Sequence, residues 1–494
     1  MCSAWSPGDR IDTKADYLAS LANRDLAVFL QGERVSEPLD HPIIRPSINA
    51  MAETYALAER EPELATAKSA ITGTTVNRFL HVTQSVDDVV SQNQMQRKLG
   101  QLTGTCFQRC VGMDAINATF SLTYDLDEAT GSDYHARFLD WLAGIQEQNL
   151  VLGGAMTDPK GDRSKGPAEQ ADPDLFLRVV QRRPDGVVLR GAKAHQTGAI
   201  NSHWMIAMPT LRLSEADSDY AVVAAMPVTA PGLSYIYGRQ ASDDRAMQDG
   251  TMDVGNACFA GQEVLVIFDD VFVPTEHVFL DGEYTFCADL VERFTSYHRR
   301  SYVCKTGVGD VLIGAAALAA EYHGVDGASH VKDKLVEMVH LNETIYGSGI
   351  ASSYESFQRP AGNFENNGIL ANVCKHNVTR FPYEIGRLAQ DLAGGLMVTM
   401  PGEAEFRDPE TGPILDKYLK GRADVTTEDR LRILRLIENM TMGRNAVGYL
   451  TESLHGAGSP QAQRVQIARQ ANISAKKLMA KRLAGVAGES ACAD

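Results

Sequence analysis

The chain has 494 residues, 44% of them hydrophobic and 22% charged, an ordinary globular composition that excludes disordered, fibrous and collagen-like readings. At ~100–200 residues per domain, this length predicts two to four domains and a large core. With 47 Lys and Arg against 63 Asp and Glu the net charge is −16, so nucleic acid and anionic membrane, which both need a positive counter-surface, are poor partners.

The longest apolar runs, such as residues 311–320, fall short of the ~18 residues of a membrane span, and the first residues hold no apolar run of a secretory signal. A cytoplasmic location is expected. Eight Cys are too few for a disulfide scaffold, and a reducing compartment keeps them as thiols or thiolate ligands.

In chain order, the spacing of Tyr17, Leu18, Leu21, Leu26, Val86, Val89, Val90, Phe138, Leu139, Trp141 and Leu142 predicts an N-terminal helical domain over 1–149. Residues 150–286 change to short apolar runs, at 186–190, 204–208, 220–226, 233–237 and 264–272, with Pro227, Pro231 and Pro274 near run ends. They predict a middle β-domain, taken as a β-barrel. From 287 to 494, helical patterns at 309–323, 328–345, 368–396, 427–455 and 460–487 predict a C-terminal helical bundle. The fold class is α+β, and this order resembles the acyl-CoA dehydrogenase fold.

Three groups of side chains carry chemistry. Cys106 and Cys110 are four residues apart in a segment of helical spacing, which predicts both sulfurs on one helix face. Such a pair either holds a metal or one edge of an iron–sulfur cluster, or buries two small thiols in the core. Residues 297–305 crowd His298, Tyr302, Cys304 and Lys305 beside Arg299 and Arg300, a density that is costly if buried without function. Met156, Thr157, Asp158, Lys160, Asp162 and Arg163, together with Gln196 and Thr197, offer donors for a cofactor ring and its phosphates, although a Pro-Lys-Gly-Asp turn is often only a turn. No Rossmann fingerprint and no P-loop occurs. Gln390, Gly394 and Gly395, and the Gly-rich residues 455–461, allow either close backbone approach to a ligand or helix C-caps. Glu263 and Glu452 flank such segments.

The strings at residues 40–49, 106–115, 154–163, 191–198 and 455–464 closely resemble the 4-hydroxybutyryl-CoA dehydratases, relatives of the flavin-dependent 4-hydroxyphenylacetate 3-monooxygenases, over residues 16–485. The resemblance implies a homotetramer with one FAD and one 4Fe-4S cluster per subunit. It also implies a CoA-thioester substrate: 4-hydroxybutyryl-CoA goes to crotonyl-CoA and water, and vinylacetyl-CoA is isomerised to crotonyl-CoA. By position the cluster ligands are Cys106, Cys110, His298 and Cys304. His298, Glu263, Tyr302, Lys305 and Glu452 are the catalytic residues, and Thr197 bonds the flavin. Gln390, Gly394 and Gly395 resemble a segment that contacts FAD from a neighbouring subunit. The implied mechanism removes the α-proton, passes an electron to FAD and expels hydroxyl from a ketyl radical onto the cluster as Lewis acid. The alternative is a cluster-free flavin monooxygenase or acyl-CoA isomerase of the same fold; an inactive CoA-ester binder is a further rival.

One spacing departs from the family. Only Val303 separates Tyr302 from Cys304, where the family has two residues, typically Gly-Gly. A six-residue step from His298 to Cys304 leaves the cysteine roughly 100° short of the same helix face, so either the backbone bends here or Cys304 misses the cluster. Cys2, Cys258, Cys287, Cys374 and Cys492 match no ligand position and are read as structural.

Overall fold

The computed structural model describes residues 6–486 apart from Pro7 and Asp249. Alternation in the middle of the chain builds two sheets. Along Glu263–Pro274, Val264, Val266 and Phe268 are buried while the residues between them are more open, the period of a half-buried strand. One sheet has six strands in the order Glu33–Val35, Val28–Leu30, Leu233–Tyr237, Glu263–Pro274, Gly186–Thr197, Arg178–Arg183. The other has four, Val278–Asp281, Val222–Pro227, Trp204–Ala207 and Leu152–Ala155.

Neither sheet closes on itself among the described residues, so the expected β-barrel is instead a pair of open sheets. Two of these strands come from the region expected to be a helical domain. Gln31 and Gly32 both have left-handed backbone (φ 53 and 89), the conformation of a two-residue hairpin turn, and Val28–Leu30 then pairs with Leu233–Tyr237.

The helices that frame the site are α1 (Arg45–Arg60), α2 (Val86–Thr103), α3 (Cys110–Thr130) and α4 (Tyr134–Glu147) in the first part. In the bundle they are α5 (Cys287–Ser301), α6 (Cys304–His323), α7 (Ser329–Tyr354), α8 (Gly368–Val378), α9 (Phe381–Ala393) and α10 (Thr427–Thr441). Three long helical expectations divide. Pro382 in the first turn of α9 cannot continue a helix from α8. After α10 the chain breaks and re-enters through a π-helical turn, Val447–Thr451, which delivers Glu452. Asn472, with φ 43, separates Pro460–Gln470 from Ile473–Leu483.

One large core lies under the sheets and the first helices, and a second lies among α6, α7, α9 and α10. A small cluster of Leu99, Phe107, Cys110, Met113 and Cys304 forms a separate patch. Helices α2 and α6 cross backbone to backbone beside it. A Cβ on Gly307 would sit 2.0 Å from the Arg97 carbonyl, and one on Gly100 would sit 2.6 Å from that of Cys304; only glycine permits this approach. The stretch Tyr284–His323 contains a window apolar enough for a membrane span, but 67% of that window is buried inside the protein, as in a core helix.

Candidate active site

The two N-terminal cysteines are placed by a loop, which corrects the helix-face expectation. Gly104 (φ 61) ends α2 in a left-handed cap, Gln108 (φ 71) turns the chain again, and α3 starts at Cys110. Cys106 therefore lies in the loop and Cys110 at a helix N-terminus. The short step to Cys304 is met by a break: α5 ends at Ser301, Tyr302 and Val303 form a turn, and α6 restarts at Cys304.

That bend brings Cys304 to Cys110, whose thiol donates a hydrogen bond to it. The bond holds the Cys304 thiol below its ordinary range and pushes Cys110 well above it. Gln96 Nε2 donates to Cys110 Sγ at 3.3 Å. Burial, and then the charge of Glu452, push Cys106 up.

His298, on α5, is linked to the same group through Asp114 and Tyr302. Its Nδ1 is 2.8 Å from Asp114 Oδ2, and Asp114 Oδ1 accepts from Ser301 Oγ at 3.0 Å. Its ring stacks on Phe294 and meets Tyr302 edge-on, both at 5.3 Å between centroids. With Nδ1 committed to a carboxylate, Nε2 is the nitrogen available to a ligand.

Carboxylates and an ammonium complete the site. Strand pairing sets Glu263 opposite Thr197, and Thr197 Oγ1 lies 2.8 Å from both Glu263 oxygens. Burial, reinforced by Glu452, raises the Glu263 carboxyl well above the usual range, against Thr197 and Lys305. Lys305 Nζ donates to Glu452 Oε2 at 2.6 Å. Burial acts to neutralise Lys305, but Glu452 and then the thiols outweigh it and keep the ammonium charged. Tyr302 Oη donates to the Glu452 carbonyl at 3.4 Å, and burial raises its phenol. Gly448 leaves room at this junction: a Cβ there would lie 3.5 Å from both Cys106 Cβ and Glu452 Oε2.

The cofactor expectations divide. Gln196 ties two segments together, accepting from the Met156 N–H at 3.1 Å and donating to the Thr157 carbonyl at 3.2 Å. Lys160 reaches Thr210 at 3.4 Å, and Arg163 is exposed beside it. Asp158 is instead engaged by buried Lys193 at 2.7 Å, and Asp162 caps Ser164. Gln390, Gly394 and Gly395 lie at the other end of α6, where Ala393 meets His323. At the rise of an α-helix that is roughly 28 Å from Cys304, so this chain does not bring them to the site.

Sequence reasoning missed Asp114 and Lys375. Asp114 was findable, since it follows Cys110 by one helical turn. Exposed His195 also lies within electrostatic reach of Lys160 and of the exposed His455. Among the other cysteines, Cys287 and Cys374 are buried, with thiols pushed up to about 12, and Cys258 is exposed. Cys2 and Cys492 lie outside the described residues.

Among the described residues no three His, Cys, Asp or Glu side chains converge on one metal ion. A four-iron cluster makes no such demand, because each iron takes its own ligand. Three interacting thiols, buried at Cys110 and Cys304 and half-buried at Cys106, and an imidazole anchored through Nδ1 are donors of that kind.

Sequence models of the 4-hydroxyphenylacetate 3-hydroxylase family match the chain over residues 13–280 (N-terminal part) and 287–485 (C-terminal part). The chain is 56% identical over 96% of its length, and 99% of the relative's, to the 4-hydroxybutyryl-CoA dehydratase/vinylacetyl-CoA-Delta-isomerase of Clostridium aminobutyricum. It is 64% identical to an oxygen-tolerant archaeal 4-hydroxybutyryl-CoA dehydratase from N. maritimus, with a TM-score of 0.95 over 96% of this chain and 95% of that one. The FAD complex of the oxygenase component of 4-hydroxyphenylacetate 3-monooxygenase shares the fold, with a TM-score of 0.83 at 22% identity over 95% and 98% of the two chains. The chain thus belongs to the 4-hydroxyphenylacetate 3-hydroxylase family, on the branch that holds the 4-hydroxybutyryl-CoA dehydratases.

Proposed function

We propose that the protein dehydrates 4-hydroxybutyryl-CoA to crotonyl-CoA and isomerises vinylacetyl-CoA to crotonyl-CoA, working in a homotetramer with FAD and a 4Fe-4S cluster. What supports this is the interaction of Cys106, Cys110 and Cys304 from distant segments, with His298 linked to them through Asp114, beside the Lys305–Glu452 and Thr197–Glu263 pairs. Identity of 56% to a dehydratase supports it. When bound, FAD supplies reversible one-electron chemistry and the cluster a Lewis-acidic iron.

Cys106, Cys110, Cys304 and His298 Nε2 would hold the cluster. Thr197 and the backbone near Met156 and Gln196 would line the flavin, with Lys160 and Arg163 available for phosphate charge. Gln390, Gly394 and Gly395 would meet the flavin of a neighbouring copy.

The reaction removes one proton from C2 and one from C3, takes hydroxide from C4 and returns a proton to C4. Glu263 is suited to proton transfer, because burial raises its carboxyl well above the usual carboxylate range and so makes it a stronger base. His298 Nε2, with Nδ1 fixed on Asp114, would be the second proton acceptor only while it is released from the cluster. Tyr302 Oη and Lys305 Nζ are the donors for the departing hydroxyl, and Glu452 keeps Lys305 charged and oriented.

The test is iron and acid-labile sulfide per FAD on anaerobically purified protein, with turnover of 4-hydroxybutyryl-CoA. About four of each per flavin is expected for one such cluster. Flavin without iron would transfer the assignment to a cluster-free flavin monooxygenase or acyl-CoA isomerase.

A further inference from the structure

Three lysines are buried among the described residues, and two have carboxylate partners: Lys193 meets Asp158 at 2.7 Å and Lys305 meets Glu452 at 2.6 Å. Lys375 on α8 has none within ion-pair distance among the described residues, although it is 0% exposed. Its Nζ donates to the Ser453 carbonyl and lies 4.3 Å from the centroid of the Tyr302 ring. The charges around it are Lys305 and Arg299 on one side of the balance and Glu452 and the Cys374 thiol on the other. Burial, then those two cations, bring its ammonium down to about 7.

A desolvated ammonium without a counter-ion works against the fold, and such strain concentrates where the charge has a task. Both contacts of Lys375 lead to the reacting groups. The Tyr302 ring is one, and Ser453, the residue after Glu452, is the other. Lys305 also lies over the same ring, at 5.4 Å. Gly456 closes the remaining side, since a Cβ there would fall 1.6 Å from Tyr302 Oη. The phenol is thus confined by two ammonium groups and a glycine.

We propose that Lys375 is a positioning residue for the dehydration, holding the Tyr302 ring through a cation–π contact and the Glu452 segment through the Ser453 carbonyl. This rests on the dehydratase reading of the site. Isomerisation expels no hydroxyl, so it needs the phenol less than dehydration does.

The experiment compares wild-type holoenzyme with Lys375→Met and Lys375→Arg. For Lys375→Met, kcat for dehydration should fall on the order of 10²-fold, the scale of a misplaced catalytic group. KM and vinylacetyl-CoA isomerisation should change less than about threefold, and Lys375→Arg should recover part of the loss. The thermal midpoint should hold or rise, because an uncompensated buried charge is gone. A readout without turnover is the 19F resonance of 3-fluorotyrosine placed at position 302, which should shift in Lys375→Met and return towards the wild-type position in Lys375→Arg.

Parallel loss of both activities with a lower midpoint would mark a purely structural lysine and overturn the proposal. Unchanged kcat with an unmoved 19F line would do the same. Should the wild type dehydrate nothing, the dehydratase reading fails, and the 19F comparison alone decides whether Lys375 holds the ring.

Discussion

The two ends of α6 differ in how much of their surroundings a single chain supplies. At the first turn Cys304, Lys305, Thr306 and Gly307 are all buried, enclosed by α2, the 104–109 loop and the segment carrying Glu452. At the last turn His323 meets the Ala393 carbonyl at 3.0 Å, and the chain then runs into Gly394 and Gly395, where an added Cβ would touch nothing within 4 Å. Val398 just beyond is 85% exposed. One end is enclosed within the chain, whereas the glycine end is left open by it.

The largest expected effect separates two ion pairs at these ends. Glu452→Ala leaves Lys305, 3% exposed, without its counter-charge, and should cost about 3–5 kcal/mol of stability. Adding Lys305→Met should recover most of it. Asp391→Ala breaks the Lys334–Asp391 pair, whose side chains are 26% and 45% exposed, and should cost under about 1 kcal/mol. Denaturant melts of the three variants check both, and equal losses would erase the contrast.

Next in size is Gly456→Ala, whose Cβ must push Tyr302 aside. Dehydration should drop roughly 10²-fold while circular dichroism and flavin content stay at wild-type values. A fully active variant would remove Tyr302 from the reaction. The smallest effect is at the other end: Gly395→Ala should alter monomer stability by less than about 0.5 kcal/mol. Flavin lost from that variant, measured by absorbance after gel filtration, would then report a contact made with a second copy, and full retention would argue that position 395 plays no part in holding flavin.

Much of this site was legible as residue types before it was legible as geometry. His298, Tyr302, Cys304 and Lys305 stood out because so much polar chemistry was crowded into one helical stretch. Their six-residue step posed a question that periodicity alone cannot answer, since an ideal helix has no room for a turn at Tyr302 and Val303. Cys106 and Cys110 misled for a related reason. A four-residue spacing is the same in a loop as in a helix, and the left-handed Gln108 that separates the cases carries no glycine signal. Lys375 was invisible because a lysine reads as a surface residue until its surroundings are known. The barrel expectation failed because strand runs record alternation within each strand and say nothing about whether the edge strands find each other.

The sequence distances inside the site set the order in which the protein is completed. Lys305 and Glu452 are 147 positions apart, Thr105 bonds Asn445 across 340, and Arg444 reaches the Ile43 carbonyl across 401. Contacts this remote form late in folding, and a chain of this size gathers them in stages. Until the segment carrying Arg444, Asn445 and Glu452 has been made, the pocket lacks one wall. Any group bound at the proposed site therefore meets a complete pocket only after the segment carrying Glu452 has been made.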